Sequence, residues 1–379
     1  MRGFFVSCVT CYNQSMTALE RSRGIESSLE PPFHMETERL LPNVASTILL
    51  PSCQIDVATY AQEQYGRNKG YVEKRLGTER LYEMDPDDTT FIPSVMAINL
   101  IHKTGVVPDA IYTLSSHGTG SDIPNTMSRR VKEDIRAFCY GSKGGHLPTI
   151  AKDESAACST FGVFQNTLQS IPDGTNVMVL VDETQYRRTI PSPSDDVGYA
   201  GLLFSDIGVG LQFEKGPKGI DVLSSQVFHE KDMHANLQMR VGNDRPIDDK
   251  HTFFVPSGEY FKMNGPAVKD FFSERITNES IAGHLNEFDI DADTIDFLLT
   301  HQASKVMLDY INSQVSEDDY KKLKYRSQTL GAYGNTSSAS GPLGLIEGLR
   351  SGHIQQGNVG LTLYFGAGYT WSMGVLKIN

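Results

Sequence analysis

The stretch Asp153-Glu-Ser-Ala-Ala-Cys158-Ser-Thr-Phe-Gly-Val-Phe164 sets one cysteine among small residues and follows it with an apolar run that ends at Leu168. Small side chains let the backbone turn tightly and let a second backbone or a ligand approach. Phe161, Val163, Phe164, Thr167 and Leu168 recur at helical spacing with almost no polar face, which predicts a buried helix. Cys158 then stands near its first turn, where unpaired N–H groups and the positive end of the dipole favour a thiolate. The expectation is therefore a lowered thiol pKa. The plain alternative is a buried structural cysteine.

Outward from that stretch, strand and helix signals alternate, so the fold class is α/β. Val44–Leu50 reads as the first core strand, with a helix over 55–65 and another over 90–103. Strands follow at 110–115 and 176–181, and Ala200–Phe213 reads as two short strands around a tight turn at Asp206. Lys215-Gly-Pro-Lys-Gly219 is the best candidate boundary. Beyond it come a charged insert at 243–251, a helix over 261–276, a strand 294–300 that delivers His301, and a helix over 302–315. A run of small residues, 331–341, leads into a helix over 343–349, and strands at 359–365 and 372–378 close the chain. Residues 1–43, charged and interrupted at Pro31-Pro32, read as an extension outside the core.

Composition narrows the function classes. The 379 residues carry a net charge of −12, which argues against a nucleic-acid partner and against a basic membrane-surface helix. No run approaches the length of a transmembrane span, and the N-terminus is a poor signal peptide, so a cytoplasmic location is expected. The five cysteines, Cys8, Cys11, Cys53, Cys139 and Cys158, are scattered, as suits a reducing compartment. Cys8 and Cys11 form a lone CxxC with no second pair or nearby histidine, so no metal is expected.

Two polar residues become partners for Cys158. His301 follows a strand, and strand ends in α/β sheets are where ligand sites collect. Asn335 lies in Gly-Asn-Thr-Ser, between small residues. A thiolate can attack an acyl carbonyl while His and Asn donate to the oxygen that becomes negative. Taken singly, His301 reads as a satisfied buried histidine and Asn335 as a turn residue.

Together these segments resemble a family. Ala-Ala-Cys158, His-Gln-Ala at 301–303, Gly-Asn-Thr-Ser at 334–337 and Phe-Gly-Ala-Gly-Tyr-Thr-Trp at 365–371 look like the signatures of ketoacyl-ACP synthase III, a condensing enzyme of the thiolase superfamily. Arg75-Leu-Gly77 is similar to its Arg-Thr-Gly, and the segment 204–209 to its Phe-Gly-Asp-Gly-Ala-Gly. The resemblance runs in order from about residue 44 to the end. It implies two similar halves, 44–215 and 216–379, each with a five-stranded sheet, in a five-layer αβαβα sandwich, and a homodimer. It implies that Cys158 takes an acyl group from acyl-CoA or acyl-ACP, that His301 and Asn335 serve decarboxylation of a malonyl-type extender, and that the backbone N–H groups of Cys158 and Ala367 form the oxyanion hole. Arg75, Gly265, Ser304, Lys305 and Phe365 would line the substrate path. No cofactor would be permanently bound; the substrates would be CoA- or phosphopantetheine-linked, with an acyl carrier protein as a further partner.

The departures fall at the cofactor tunnel and the carrier surface. The family's Trp before Arg-Thr-Gly gives way to Gly70 and Tyr71, an Asn to Ser304, an Arg to Lys305 one place early, and another Asn to Pro266. These imply a specialised relative in fatty-acid, polyketide or secondary metabolism. A same-fold acyltransferase that makes an ester or amide without decarboxylation, and a partner subunit of a heteromeric synthase, are the alternatives.

Overall fold

The computed structural model describes residues 33–85, 91–115, 127–140, 145–154, 158–184, 200–230, 237–241, 252–254, 259–263, 265–316, 318–366 and 369–379. Two sheets dominate. The first runs Phe33–Leu41, Val44–Pro51, Gly208–Glu214, Asn176–Asp182, Ala110–Leu114, Ile150–Glu154. The second runs Ile220–His229, Thr370–Ile378, Val359–Gly366, Ile295–Thr300, Tyr325–Arg326. Set aside Phe33–Leu41, and both sheets have one pattern. The third strand of each half is parallel to its second, the second to its fourth, and the fifth and first are antiparallel beyond.

The core strands read as continuous apolar runs because both of their faces are covered. Along Asn176–Asp182, Val177, Val179 and Val181 face the middle of the molecule, while Met178 and Leu180 face outward. Helices Ile92–Thr104 and Met127–Tyr140 cover that outer face. Helices Thr160–Leu168 and Ser340–Arg350 lie between the sheets, with Phe161, Phe164, Leu168, Leu343, Leu345 and Ile346 buried there. Each such side chain contributes about 1.5–3 kcal/mol. Helices Gly265–Arg275, Asn278–Glu287 and Lys305–Gln314 cover the far side of the second sheet. The result is the expected five-layer sandwich.

Three expectations are corrected. Phe33–Leu41, assigned to the extension, pairs antiparallel with Val44–Pro51 and makes the first sheet six-stranded. Its Glu36 and Glu38 meet Arg350 at 3.3 and 2.5 Å, a pairing with a residue more than 300 positions away that local pattern does not reveal. Ala200–Phe213 holds one strand, Gly208–Glu214, preceded by a 3-10 turn at Ala200–Leu202. Asp206 is buried, and its carboxylate accepts the Met84 N–H, so the segment is anchored rather than turned back into a hairpin. The helix expected from Phe261 starts at Gly265, because Glu259–Met263 is the middle strand of a small three-stranded sheet with Leu237–Val241 and Thr252–Phe254. The loop 116–120, the CxxC of Cys8 and Cys11, and the turn 141–144 lie outside the described residues.

Candidate active site

The two inter-sheet helices begin at one place, and the site is there. Cys158 sits two residues ahead of Thr160–Leu168, half-buried. Phe161 and Phe164 fix that helix, packing on Tyr364 (ring centroids 5.7 Å) and Tyr112 (5.1 Å). Gly366, at the end of a second-sheet strand, lies flat on the cysteine; a Cβ there would come 2.6 Å from the Cys158 nitrogen. The Cys158 Sγ lies 3.3 Å from Ser337 Oγ. Its thiol is not lowered but pushed up to about 12. Burial is the main cause, the Ser337 contact opposes it, and the nearby Glu183 carboxylate adds to it. The helix-start argument gives way because the chain around the sulfur is desolvated and a buried carboxylate stands close by.

Glu183 is fully buried at the end of Asn176–Asp182. Its Oε1 accepts both the N–H and the hydroxyl of Ser338. Sequence analysis gave it no role; the signal was an acid directly after an apolar run.

His301 leaves the central strand Ile295–Thr300, and its N–H donates to Leu363 O at 3.0 Å. The ring is 3% exposed and meets Phe365 edge-on at 5.1 Å. Burial pushes its pKa down to about 3, against a hydrogen bond to the Ser337 backbone carbonyl that favours the charged form. At neutral pH it is an uncharged imidazole. Its Nδ1 is buried without a hydrogen-bond partner among the described residues.

Asn335 sits in the turn that leads to Ser340–Arg350. Its backbone is clamped by the 203–205 segment of the other half: Asn335 N–H donates to Leu203 O at 2.7 Å, and Ser205 N–H to Asn335 O at 3.1 Å. Its side chain is oriented by two bonds. The Ser337 N–H donates to Oδ1 at 3.0 Å, and Nδ2 donates to Ala303 O at 3.2 Å. The second Nδ2 hydrogen has no partner among the described residues. Gln302, fully buried, braces the approach: its Nε2 donates to Thr300 O and Ser327 O, and its Oε1 accepts from Thr329 and Leu330. The sequence quoted Gln302 and Ser337 inside motifs without assigning either a task.

The remaining candidates are distributed around this centre. Phe365 forms one wall behind His301. Arg75 is exposed in a single π-helical turn, Val72–Leu76, which packs by Gly77 against the start of Lys305–Gln314; a Cβ on Gly77 would stand 2.9 Å from Lys305 Cβ. Arg75 and Lys305 therefore belong to neighbouring elements. Lys305 is already paired with Asp309, 2.8 Å from each carboxylate oxygen. Ser304 caps its helix, its Oγ accepting the Met307 N–H at 3.5 Å. Gly265 begins Gly265–Arg275, and Ala367 lies outside the described residues. Among the described residues no group of His, Cys, Asp or Glu is placed to hold a metal ion, and no helix is long and apolar enough to cross a membrane.

Residues 285–378 match the family described as 3-oxoacyl-[acyl-carrier-protein (ACP)] synthase III, C terminal. The chain is 26% identical over 352 residues to beta-ketoacyl-[acyl-carrier-protein] synthase III 1 of Halalkalibacterium halodurans, a match covering 85% of this chain and 97% of the relative. In structure it is similar to 3-oxoacyl-(acyl carrier protein) synthase III from Pseudomonas aeruginosa PAO1, with a TM-score of 0.68 and 19% identity over 91% of this chain and 98% of the other. It is also similar to the priming beta-ketosynthase of the R1128 polyketide biosynthetic pathway, with a TM-score of 0.66 and 19% identity over 93% and 99% of the two chains.

Proposed function

We propose that this chain, a ketoacyl synthase III-like condensing enzyme of the thiolase superfamily, loads an acyl group on Cys158 and extends it with a malonyl-type thioester. What carries the proposal is the convergence of Cys158, His301 and Asn335 on one turn, with His301 uncharged and the Asn335 amide held in one orientation.

In the first half-reaction the Cys158 sulfur attacks the thioester carbonyl and the carrier thiol leaves. The Cys158 and Ala367 N–H groups would hold the oxyanion, and Gly366 supports this by setting the residue before Ala367 against the Cys158 backbone. In the second, the remaining Asn335 Nδ2–H donates to the extender's thioester oxygen as carbon dioxide leaves, joined by the single N–H of the neutral His301 imidazole once that N–H turns from the Ser337 carbonyl to the substrate. The carbanion attacks the acyl-cysteine, and the sulfur departs as thiolate. Neutral His301 already carries that N–H and takes no proton from the medium.

Acyl-CoA or acyl-ACP is the donor in this reading, with Arg75 facing its phosphates and Lys305 a minor contributor because Asp309 already pairs it. Gly265, Ser304 and Phe365 complete the path. The protein works as a cytoplasmic homodimer in a specialised fatty-acid or polyketide setting; the departures at Gly70, Tyr71, Ser304 and Pro266 support that setting. Incubation with a panel of acyl-CoAs followed by malonyl-CoA should yield a β-ketoacyl thioester and one carbon dioxide per product. Formation of an ester or amide with no carbon dioxide would replace this reading with the acyltransferase one.

A further inference from the structure

Ser337 spends each of its polar groups on a different member of the site. Its N–H holds Asn335 Oδ1 at 3.0 Å, its carbonyl meets the His301 imidazole, and its hydroxyl lies 3.3 Å from Cys158 Sγ. Its backbone is left-handed, φ +49°, a conformation that carries a steric cost for any residue other than glycine. Glycine would supply the same N–H, the same carbonyl and the same φ without that cost. The hydroxyl is what a glycine lacks, and at 1% exposure it does not serve the solvent. The neighbouring hydroxyl, Ser338, is committed to Glu183. In the resting thiol either group of the Cys158–Ser337 pair can donate. Once the sulfur is a thiolate it can only accept, and the Ser337 proton must point at it in a charge-assisted bond.

We infer that Ser337 is a fourth catalytic residue, whose hydroxyl donates to the Cys158 thiolate and so sets how readily that sulfur attacks. The inference rests on Cys158 being the acylated nucleophile, as proposed above, but its test needs no thioester.

Iodoacetamide alkylation of Cys158, followed by mass spectrometry between pH 6 and 10, reads the thiolate directly. The S–H proton goes to solvent base, sulfur bonds to the reagent carbon and iodide leaves. Ser337→Ala and Ser337→Gly should both react about tenfold or more slowly than the parent at pH 8, as expected for loss of a hydrogen bond to a charged group. Their profiles should move to higher pH. Ser337→Gly also relieves the backbone, so its Tm should equal or exceed that of the parent, which separates the chemistry from misfolding. Alkylation of both variants at the parent rate or faster would overturn the inference. Slowed alkylation in a protein that takes no acyl group from any thioester would leave the Ser337 role standing and remove the condensing reading instead.

Discussion

The two halves repeat one strand pattern, and equivalent positions have been given different work. Cys158 and the Asn335 turn both precede the inter-sheet helix of their half, Thr160–Leu168 and Ser340–Arg350. His301 follows the second strand of its half, where the first half has Ser115. The fold thus offers two helix starts and two strand ends, and side-chain chemistry decides which of them react. Burial acts on both sides in opposite directions. It pushes the Cys158 thiol up to about 12 and the His301 imidazole down to about 3, so each rests uncharged. The neutral imidazole keeps one N–H, which the Ser337 carbonyl engages; the thiol would have to lose its proton before it could act as the proposed nucleophile.

The sharpest break in the comparison is at the sulfur. Cys158→Ala should abolish acyl capture outright, with intact-mass spectra showing one adduct on the parent and none on the variant. Adducts on Cys53 or Cys139, the other described cysteines, would remove the nucleophile from the first half. Next in size, His301→Ala and Asn335→Ala should still accept the acyl group yet lose about 10²–10³ in carbon dioxide release from malonyl-CoA, the usual cost of one oxyanion donor. Normal release in both variants would mean that the second half does something other than decarboxylate.

Gly366→Ala tests whether the halves must touch as closely as they do. Its methyl would stand 2.6 Å from the Cys158 nitrogen, so acylation should fall at least tenfold, a loss typical of small misplacements at a reacting centre. Acyl capture at the parent rate would show that the backbone there has slack.

The opposed pKa shifts make a quieter prediction. An unfolded imidazole titrates near 6.5 and His301 near 3, so the unfolded chain binds the extra proton between those values. The stability associated with His301 is complete above 6.5 and is lost as pH falls through the interval, by about 2 kcal/mol at pH 5. The thiol is the mirror image: between 9 and about 12 the unfolded chain ionises first, and stability drains as pH rises. Chemical denaturation of His301→Gln at pH 7 and pH 5 should show a smaller acid loss than the parent; an equal loss would place the acid sensitivity elsewhere.

Smallest of all, Arg75→Ala should raise KM several-fold at low salt with less change in kcat, and Lys305→Ala should change it less, since Asp309 already occupies that ammonium. An effect of Lys305→Ala larger than that of Arg75→Ala would reverse their ranking at the entrance.

Much of the architecture was legible because core strands buried on both faces, such as Asn176–Asp182, announce themselves as unbroken apolar runs. Cys158, His301 and Asn335 were legible because each stands where such a run meets small residues. Other features were not. Phe33–Leu41 alternates polar and apolar residues and rests partly on ion pairs to Arg350, which no local window contains. Ser337 was hidden by its own ordinariness: a serine in a small-residue run carries no mark of a left-handed backbone or of its contacts with Cys158, His301 and Asn335. The Cys158 thiol was misjudged because helix position is local, whereas the burial that raises it comes from elements far apart in the chain, with a smaller push from Glu183 at the end of Asn176–Asp182.

The sixth strand has a consequence for how copies of this chain could associate. One margin of the first sheet, Phe33–Leu41, carries Glu36, Glu38 and Arg39, the kind of charged border that resists a further strand. The opposite margin, Ile150–Glu154, has no further strand beside it among the described residues. A sheet with one sealed side and one open side can be continued once, by a second copy related by a twofold axis, and then has sealed sides at both ends. In such a pairing growth would stop at two rather than run on into a fibre.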